Sequence, residues 1–315
     1  MRDKGLFSAG YALLIGVGET TDPDWSLPST VTDVMALRDV LVDPAGGGYP
    51  NDPNHVKVLW DSTATRRGIL EGLIWLEGVA KQDSEITALV HFSGHGRLVD
   101  DEGEYYLIPH DTGKDIPRTA LDIRAFAVHL RRIRARRLLV ILDSCYSGGW
   151  VSSRSAGGTG TSANSVAAAL PEPAIHILKH GSGRVIFASS SGRQKSWQRP
   201  DGSMGIYTHR LVEALRGTAT PAGETAVRVS HLMQHLAATV PADAQAFHGA
   251  EQIPQFDMAS EDFAVAARAA VQESEVRRRS RRQEAGTRST GVCFTGKGNV
   301  SIRGDVVGGD QEKRR

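Results

Sequence analysis

The sequence has few cysteines and almost no net charge. Its two cysteines, Cys145 and Cys293, are too few for a disulfide framework. The 37 Lys and Arg residues against 36 Asp and Glu leave a net charge of +1. A chain this close to neutral lacks the global basic field that draws proteins to nucleic acid or to anionic membranes. We therefore predict no nucleic-acid partner and no membrane partner.

Long apolar segments are also missing. The first ten residues, MRDKGLFSAG, lack the apolar core of a signal peptide. The longest apolar runs, YALLIGVG and RRLLVILD, are as long as strands, whereas a membrane helix needs roughly 18 to 20 apolar residues. With 34 Gly and 13 Pro in 315 residues, the chain has too few breakers to be disordered. We expect a globular, cytoplasmic protein.

Runs that are apolar on both faces alternate with segments of helical spacing. Strands are expected at 11–18, 55–60, 85–92, 137–142 and 184–189, and helices at 29–42, 65–80, 121–133, 207–215 and 230–239. Strands that are separated by helix-length segments predict an α/β fold, in which helices cover both faces of a mostly parallel sheet.

Changes in composition divide the chain. Residues 1–268 are expected to form one domain, and within it residues 150–183 are expected to form a mobile surface loop, because their Ser- and Gly-rich beginning has no periodicity. Residues 269–297 resemble an Arg-rich, solvated linker. The Gly-rich tail, residues 298–315, is either a docking segment for an activating partner or a disordered extension.

Two polar clusters follow neighbouring predicted strands. SGHG occupies residues 93–96 and DSCYSG occupies residues 143–148. Ligands of parallel α/β sheets bind at the carboxyl ends of the strands. We therefore expect both clusters to border one crevice, with Gly94 and Gly96 letting the histidine loop bend tightly.

The pair Cys145 and His95 predicts acyl transfer. A thiol attacks as a thiolate, so a catalytic cysteine needs a neighbouring base, and His95 precedes Cys145 by 50 residues. The backbone amides of Gly96 and Cys145 are candidates for an oxyanion hole. Either side chain alone is more typical of an ordinary core residue, and it is their combination that favours catalysis.

The stretches YALLIGVG, HFSGHG, ILDSCYSGG and RVIFASSS resemble the caspase and metacaspase superfamily of cysteine peptidases, over roughly residues 9–265. The resemblance implies a caspase-hemoglobinase fold, a three-layer sandwich, with Cys145 as nucleophile and His95 as general base. The caspase signature reads QAC, a variable residue and Gly. DSCYSG departs from it and is similar to the metacaspase and bacterial caspase-like branch.

The resemblance also implies a protein or peptide substrate with Arg or Lys at P1, the residue before the cleaved bond. Metacaspases meet the basic P1 side chain with residues that match Asp143, Ser93 and Asp33 here. Two carboxylates suit a guanidinium or ammonium group. Two alternatives stay open, since Asp33 also suits a helix N-terminus and Asp143 a strand-end cap.

Three further residues come from the same resemblance. Ser196 and Trp197, in QKSWQ, are similar to the segment that pairs with the substrate backbone and walls the adjacent subsite. Trp197 is equally a candidate for a surface anchor. Arg154, nine residues after Cys145, is a candidate autocleavage site, or else an ordinary loop arginine.

The sequence implies no organic cofactor and no metal site. His231 and His235 have the spacing of a metal pair but lack the glutamate and the third ligand of HExxH sites. The acidic run at residues 100–104 makes calcium activation an alternative to simple solvation. The Gly-rich tail follows no strand-turn-helix unit, so we reject nucleotide binding.

Together these features predict a cysteine endopeptidase, a regulated bacterial protease that activates a partner protein by limited proteolysis in antiviral defence or cell death. The biological role rests on resemblance alone. Two alternatives remain: an inactive caspase-like scaffold that binds partners through its linker and tail, and an Asp-specific peptidase.

Overall fold

The computed structural model describes residues 7, 10–99, 104–145, 171–179, 183–191, 194–258, 261–268, 293–295 and 299–301. The chain divides into two units, Met1–Ala269 and Ala270–Arg315. The roles expected for the linker and the tail stay predictions.

The described strands of the first unit are β1 (Gly10–Gly16), β2 (Val56–Trp60), β3 (Thr87–Leu98), β4 (Tyr105–Leu107), β5 (Leu121–Asp122), β6 (Arg137–Cys145), β7 (Arg184–Ala188), β8 (Ala226–Arg228), β9 (Gln255–Met258) and β10 (Ala264–Ala267). Its helices are α1 (Ser29–Val42), α2 (Arg66–Gln82), α3 (Ile116–Thr119), α4 (Ile123–Arg132), α5 (Glu172–Lys179), α6 (Ile206–Glu213) and α7 (Val229–His248). None of these helices is both long enough and apolar enough to cross a bilayer.

The central sheet has the strand order β2-β1-β3-β6-β7-β9. Neighbours from β2 to β7 are parallel, and β9 runs antiparallel to β7. β4 pairs antiparallel with the end of β3 and with β5. β8 and β10 form a separate antiparallel pair. Helical crossovers connect the parallel strands, as parallel pairing requires. The predicted α/β fold with a mostly parallel sheet is confirmed.

Each central strand sends alternate side chains to opposite faces of the sheet. In β1, Leu13 and Ile15 join a core shared with α2, α4 and α5. Ala12 and Leu14 join a second core shared with α1, α6 and α7. Because both faces are covered, the strands are apolar throughout rather than alternating. The predicted three-layer sandwich is therefore confirmed.

Two predicted strand ends were wrong, and the error matters for the site. β3 continues past residue 92 to Leu98, and β6 continues past residue 142 to Cys145. Ser93, Gly94 and His95 pair with β6, and from Gly96 onwards β3 pairs with β4. These buried polar residues find partners in the tertiary structure, so an apolar pattern could not reveal that the strands continue.

The loop predicted over residues 150–183 was wrong in its last part. Glu172–Lys179 form α5, and Ala174, Ile175 and Leu178 pack into the core on the face of α2 and α4. The helix spans only eight residues, which is too short for a clear periodic signal. Residues 150–170 and 180–182 of that loop lie outside the described residues.

In the second unit, the described residues form an antiparallel pair of strands, β11 (Cys293–Thr295) and β12 (Asn299–Ser301). β12 lies within the Gly-rich tail, residues 298–315. The remainder of the tail lies outside the described residues.

A buried arginine connects two helices to the sheet. Arg184, the first residue of β7, is 2% exposed. Its guanidinium donates to the carbonyl of Leu178 in α5 at 3.0 Å and to the carbonyl of Leu130 in α4 at 2.8 Å. Both carbonyls lie near helix C-termini, where a cation is favourable. Burial, with a smaller contribution from Arg131, lowers the pKa of Arg184 to about 10, so it stays charged at neutral pH.

We expect Arg184→Met to lower the free energy of unfolding by about 2–4 kcal/mol, because it leaves two buried carbonyls without their charged donor. Urea unfolding measures the change. The control is Arg136→Met, which removes an exposed ion pair of 3.2 Å with Glu85 and should cost no more than about 0.5 kcal/mol. Equal losses in the two variants would contradict the role given to Arg184.

Candidate active site

The two polar clusters lie side by side at the carboxyl end of the central sheet. β3 and β6 are neighbours, and their register pairs Ser93 with Asp143 and His95 with Cys145. Adjacent strands of a sheet lie about 4.8 Å apart, so the backbones of His95 and Cys145 adjoin. The two clusters thus adjoin at residues 93–95 and 143–145. Residues 146–148 lie outside the described residues, and the expected crevice stays a prediction.

A tryptophan that the sequence analysis missed contacts His95. Trp25 lies in the short 3-10 helix Pro23–Trp25, and its ring meets the imidazole edge to face, with centroids 6.0 Å apart at 85°. The guanidinium of Arg97 lies 5.3 Å from the same indole ring. His95 itself is 5% exposed. The indole therefore packs against the imidazole of His95. No periodic pattern surrounds Trp25 that could have signalled this contact.

Gly96 lies where a side chain has no room. A Cβ atom there would overlap the hydroxyl of Tyr105 and lie 3.2 Å from Cβ of Ser144. Tyr105 in turn donates to Oγ of Ser144 at 2.8 Å. The expectation that Gly94 and Gly96 bend a loop was wrong, because both lie within β3. Gly96 instead permits the close approach of β4 to β3.

Asp33, Ser93 and Asp143, predicted from three distant parts of the sequence, form one buried cluster. Asp33 of α1 is 1% exposed, and Asp143 and Ser93 are 0% exposed. The Ser93 hydroxyl donates to Oδ2 of Asp33 at 2.9 Å, and the backbone N–H of Gly205 donates to Oδ1 at 2.9 Å. The structure thus brings the two predicted carboxylates together.

Two hydroxyl groups hold the carboxylate of Asp143. Ser196 donates to Oδ1 at 2.8 Å and Thr208 donates to Oδ2 at 2.8 Å. Ser196 therefore joins the acidic cluster through its side chain. Thr208 and Gly205 were missed by the sequence analysis. Both belong to the start of α6, and only the apolar face of this helix was visible in the sequence.

Burial and the neighbouring carboxylate set the protonation of Asp33. Desolvation is the largest cause and repulsion from Asp143 the second, and together they raise the pKa of Asp33 to about 8. The hydrogen bonds from Gly205 and Ser93 partly offset this rise. Two carboxylates in one desolvated site resist ionising together. At neutral pH Asp33 is therefore mostly protonated.

A fully buried glutamine anchors the segment of Ser196 and Trp197. The Gln252 side-chain amide donates to the carbonyl of Ser189 at 3.0 Å and to Oγ of Ser196 at 3.1 Å, and it accepts the N–H of Trp197 at 2.8 Å. The Trp197 ring is half-buried and stacks on His248, with centroids 4.6 Å apart. Gln252 was missed, because it lies in a segment without periodicity.

The other predicted residues lie apart from this cluster or outside the described chain. Arg154 and residues 100–103 of the acidic run are outside it, and Glu104 pairs with Arg124 at 3.3 Å. His231 and His235 face different carboxylates, Glu224 and Glu213. In the part of the chain that the structure describes, no three His, Cys, Asp or Glu side chains group closely enough to hold a metal ion.

Asp33→Asn should change how stability depends on pH. The pKa of Asp33 is raised by folding, from 3.8 to about 8, so the native state binds the proton more tightly and loses stability as the pH rises through this window. The variant has no such proton. We expect its melting temperature to exceed that of the wild type at pH 8.5 by at least about 2–4 °C, and the difference to shrink towards pH 5.

Calorimetry between pH 5 and 8.5 measures this difference. Asp39→Asn is the control, because Asp39 is an exposed carboxylate on the same helix, paired with Arg38. Its melting temperature should follow that of the wild type at each pH. Parallel curves for Asp33→Asn and the wild type would show that Asp33 titrates in the usual acidic range.

Comparison with known proteins relates this geometry to a family. A family model described as the caspase domain, Peptidase C14, matches residues 9–263. No curated protein matches the chain. Among solved structures, protein GSU0716 from Geobacter sulfurreducens matches with a TM-score of 0.52 and 16% identity, covering 84% of this chain and 98% of that one. At this identity the likeness shows the fold alone. The matched residues run from β1 to β9 and include the carboxyl ends of β3 and β6. The chain belongs to the caspase domain family of peptidases.

Proposed function

We propose that the protein is a cysteine endopeptidase that cleaves after Arg or Lys, with Cys145 and His95 as its catalytic dyad. One observation carries the proposal. In the register of β3 and β6, the pair His95 and Cys145 lies two residues beyond the pair Ser93 and Asp143. Two residues of a strand span about 7 Å. An extended basic side chain can bridge that distance from the scissile bond to the acidic cluster.

The proposed reaction is the acyl transfer expected of a Cys–His dyad. His95 takes the proton from the Cys145 thiol, and the thiolate attacks the scissile carbonyl carbon. The backbone amides of Gly96 and Cys145 stabilise the oxyanion. When the tetrahedral intermediate collapses, the C–N bond breaks and His95 gives its proton to the leaving amine. Water, deprotonated by His95, then hydrolyses the thioester.

The acidic cluster supports selection of a basic P1 residue. A guanidinium or ammonium group beside Asp33 and Asp143 would favour ionisation of both carboxylates, and the proton held by Asp33 would leave to solvent. An aspartate at P1 would instead add a third carboxylate to a desolvated site. The buried cluster therefore favours a basic P1 residue over the Asp-specific alternative.

We further propose that the protease acts by limited cleavage of a partner protein in antiviral defence or cell death, with the tail as a docking segment. This role is inferred from the resemblance to caspase-like proteases. The competing scaffold function would leave the dyad and the acidic cluster without a use. Calcium activation through the acidic run at residues 100–104 stays an alternative.

Matched fluorogenic peptides ending in Arg, Lys or Asp test the activity, with and without calcium. We expect cleavage after Arg and Lys, and a loss of at least about a thousandfold in kcat for Cys145→Ala and His95→Ala. Cleavage after Asp alone would refute the assignment of the acidic cluster. No cleavage of any peptide, although iodoacetamide still alkylates Cys145 readily, would favour the scaffold.

Autoprocessing at Arg154 is a separate prediction. A protease with a basic P1 preference can accept Arg154, whereas Arg184, also downstream of Cys145, is buried. We expect active wild-type protein to yield two fragments, one that ends at residue 154 and one that begins at residue 155, as measured by mass spectrometry. Arg154→Ala and Cys145→Ala should each stay intact at this bond. An intact wild-type chain under conditions in which peptides are cleaved would contradict the prediction.

A further inference from the structure

The loop that carries Trp25 is closed at its base and held near its middle. In this connection between β1 and α1, the N–H of Leu27 donates to the carbonyl of Gly18 at 2.6 Å. The N–H of Thr21 donates to the carbonyl of His110 at 2.8 Å. Backbone hydrogen bonds to the loop itself and to a distant part of the chain thus fix the position from which the indole projects.

Trp25 packs on a small apolar cluster beside the proposed general base. The cluster consists of four buried residues, Tyr106, Ile108, Ile116 and Ala120. The N–H of Ile108 donates to the carbonyl of His95 at 3.0 Å, so the cluster adjoins the histidine. Trp25 itself is only half-buried, although its ring contacts the imidazole. An apolar residue next to His95 is therefore still partly accessible to a substrate.

The proposed reaction places the residue after the cleaved bond, P1′, close to His95. His95 gives its proton to the leaving amine, and such a transfer needs heavy atoms about 2.6–3.2 Å apart. The leaving amine is the backbone nitrogen of P1′, and the P1′ Cβ atom is two bonds from it. Because Trp25 packs against the same imidazole, with ring centroids 6.0 Å apart, the P1′ side chain is within reach of the indole.

The strand order agrees with this placement. Ser196 and Trp197 follow β7, whereas Trp25 follows β1, and β6 and β3 lie between those two strands. A peptide that crosses the carboxyl ends of the strands from the β7 side would pass Cys145 before it reaches His95. The residues after the cleaved bond would then lie on the side of Trp25.

We propose that Trp25 is a specificity-determining residue, which binds the P1′ side chain of the substrate and selects an apolar one such as leucine or phenylalanine. This inference rests on the proposed function. Contact between the indole and an apolar side chain removes apolar surface of both from water, which is favourable. A glycine at P1′ gains nothing from the ring.

A series of internally quenched peptides tests the proposal on the wild type. Each peptide has Arg at P1 and either Gly, Leu, Phe or Asp at P1′, and mass spectrometry identifies the cleaved bond. Asp is included because the guanidinium of Arg97 lies 5.3 Å from the centre of the Trp25 ring. We expect kcat/KM to be at least about fivefold higher for Leu and Phe than for Gly. Equal values across the series, or the highest value for Gly or Asp, overturn the proposal.

Trp25→Ala should abolish this preference, with Trp60→Ala as the matched control. We expect Trp25→Ala to lower kcat/KM for the Leu and Phe peptides at least about fivefold more than for the Gly peptide. Trp60 is 43% exposed at the end of β2, and its loss should leave the ratios of the wild type unchanged. An equal loss for all peptides in Trp25→Ala would mean that the indole only supports His95, and would overturn the proposal.

Failure of the proposed function gives a different result. If the wild type cleaves after Asp rather than Arg, the basic P1 preference is refuted, and the same P1′ series with Asp at P1 decides the role of Trp25. If the wild type cleaves no peptide, the proposed function and this inference are refuted together. Cleavage after Arg without any P1′ preference refutes the inference alone.

Discussion

The register between β3 and β6 is the constraint on which the site depends. It places His95 opposite Cys145 and Ser93 opposite Asp143 in one step. Because side chains alternate between the faces of a sheet, a slip of β3 by one residue would turn Ser93 away from Asp33. It would also turn the apolar side chains of β3 towards the opposite face of the sheet. The apolar residues of β3, buried on both faces, therefore fix the geometry of the polar residues that follow them.

The acidic cluster depends on contacts that are distant in sequence. Its hydrogen bonds join residues separated by 53, 60, 65 and 172 positions. Such contacts form only when α1, β3, β6 and α6 are all in place, and desolvation of the carboxylates then opposes folding. Unfavourable burial of this kind is typical of functional sites, where orientation of charge matters more than stability.

The sequence predicts the layers of the fold well, because strands covered on both faces have distinctive apolar runs and helices such as α1 and α2 have clear spacing. It also indicates which polar residues lie at the carboxyl ends of the strands. It does not reveal where β3 and β6 end, because the partners of Ser93 and Asp143 come from other elements. Trp25, Gly205 and Gln252 were missed for the same reason, since each acts through a contact that no local pattern encodes.

Arg184 has a consequence for a chain cut between β6 and β7. Its guanidinium bonds to Leu130 on one side of residue 154 and to Leu178 on the other, and β6 pairs with β7 across the same point. A break in the backbone at residue 154 would leave these hydrogen bonds and the pairing of β6 with β7 in place. The two fragments would stay associated as a single folded body, so cleavage would release new chain ends without dissociating the domain.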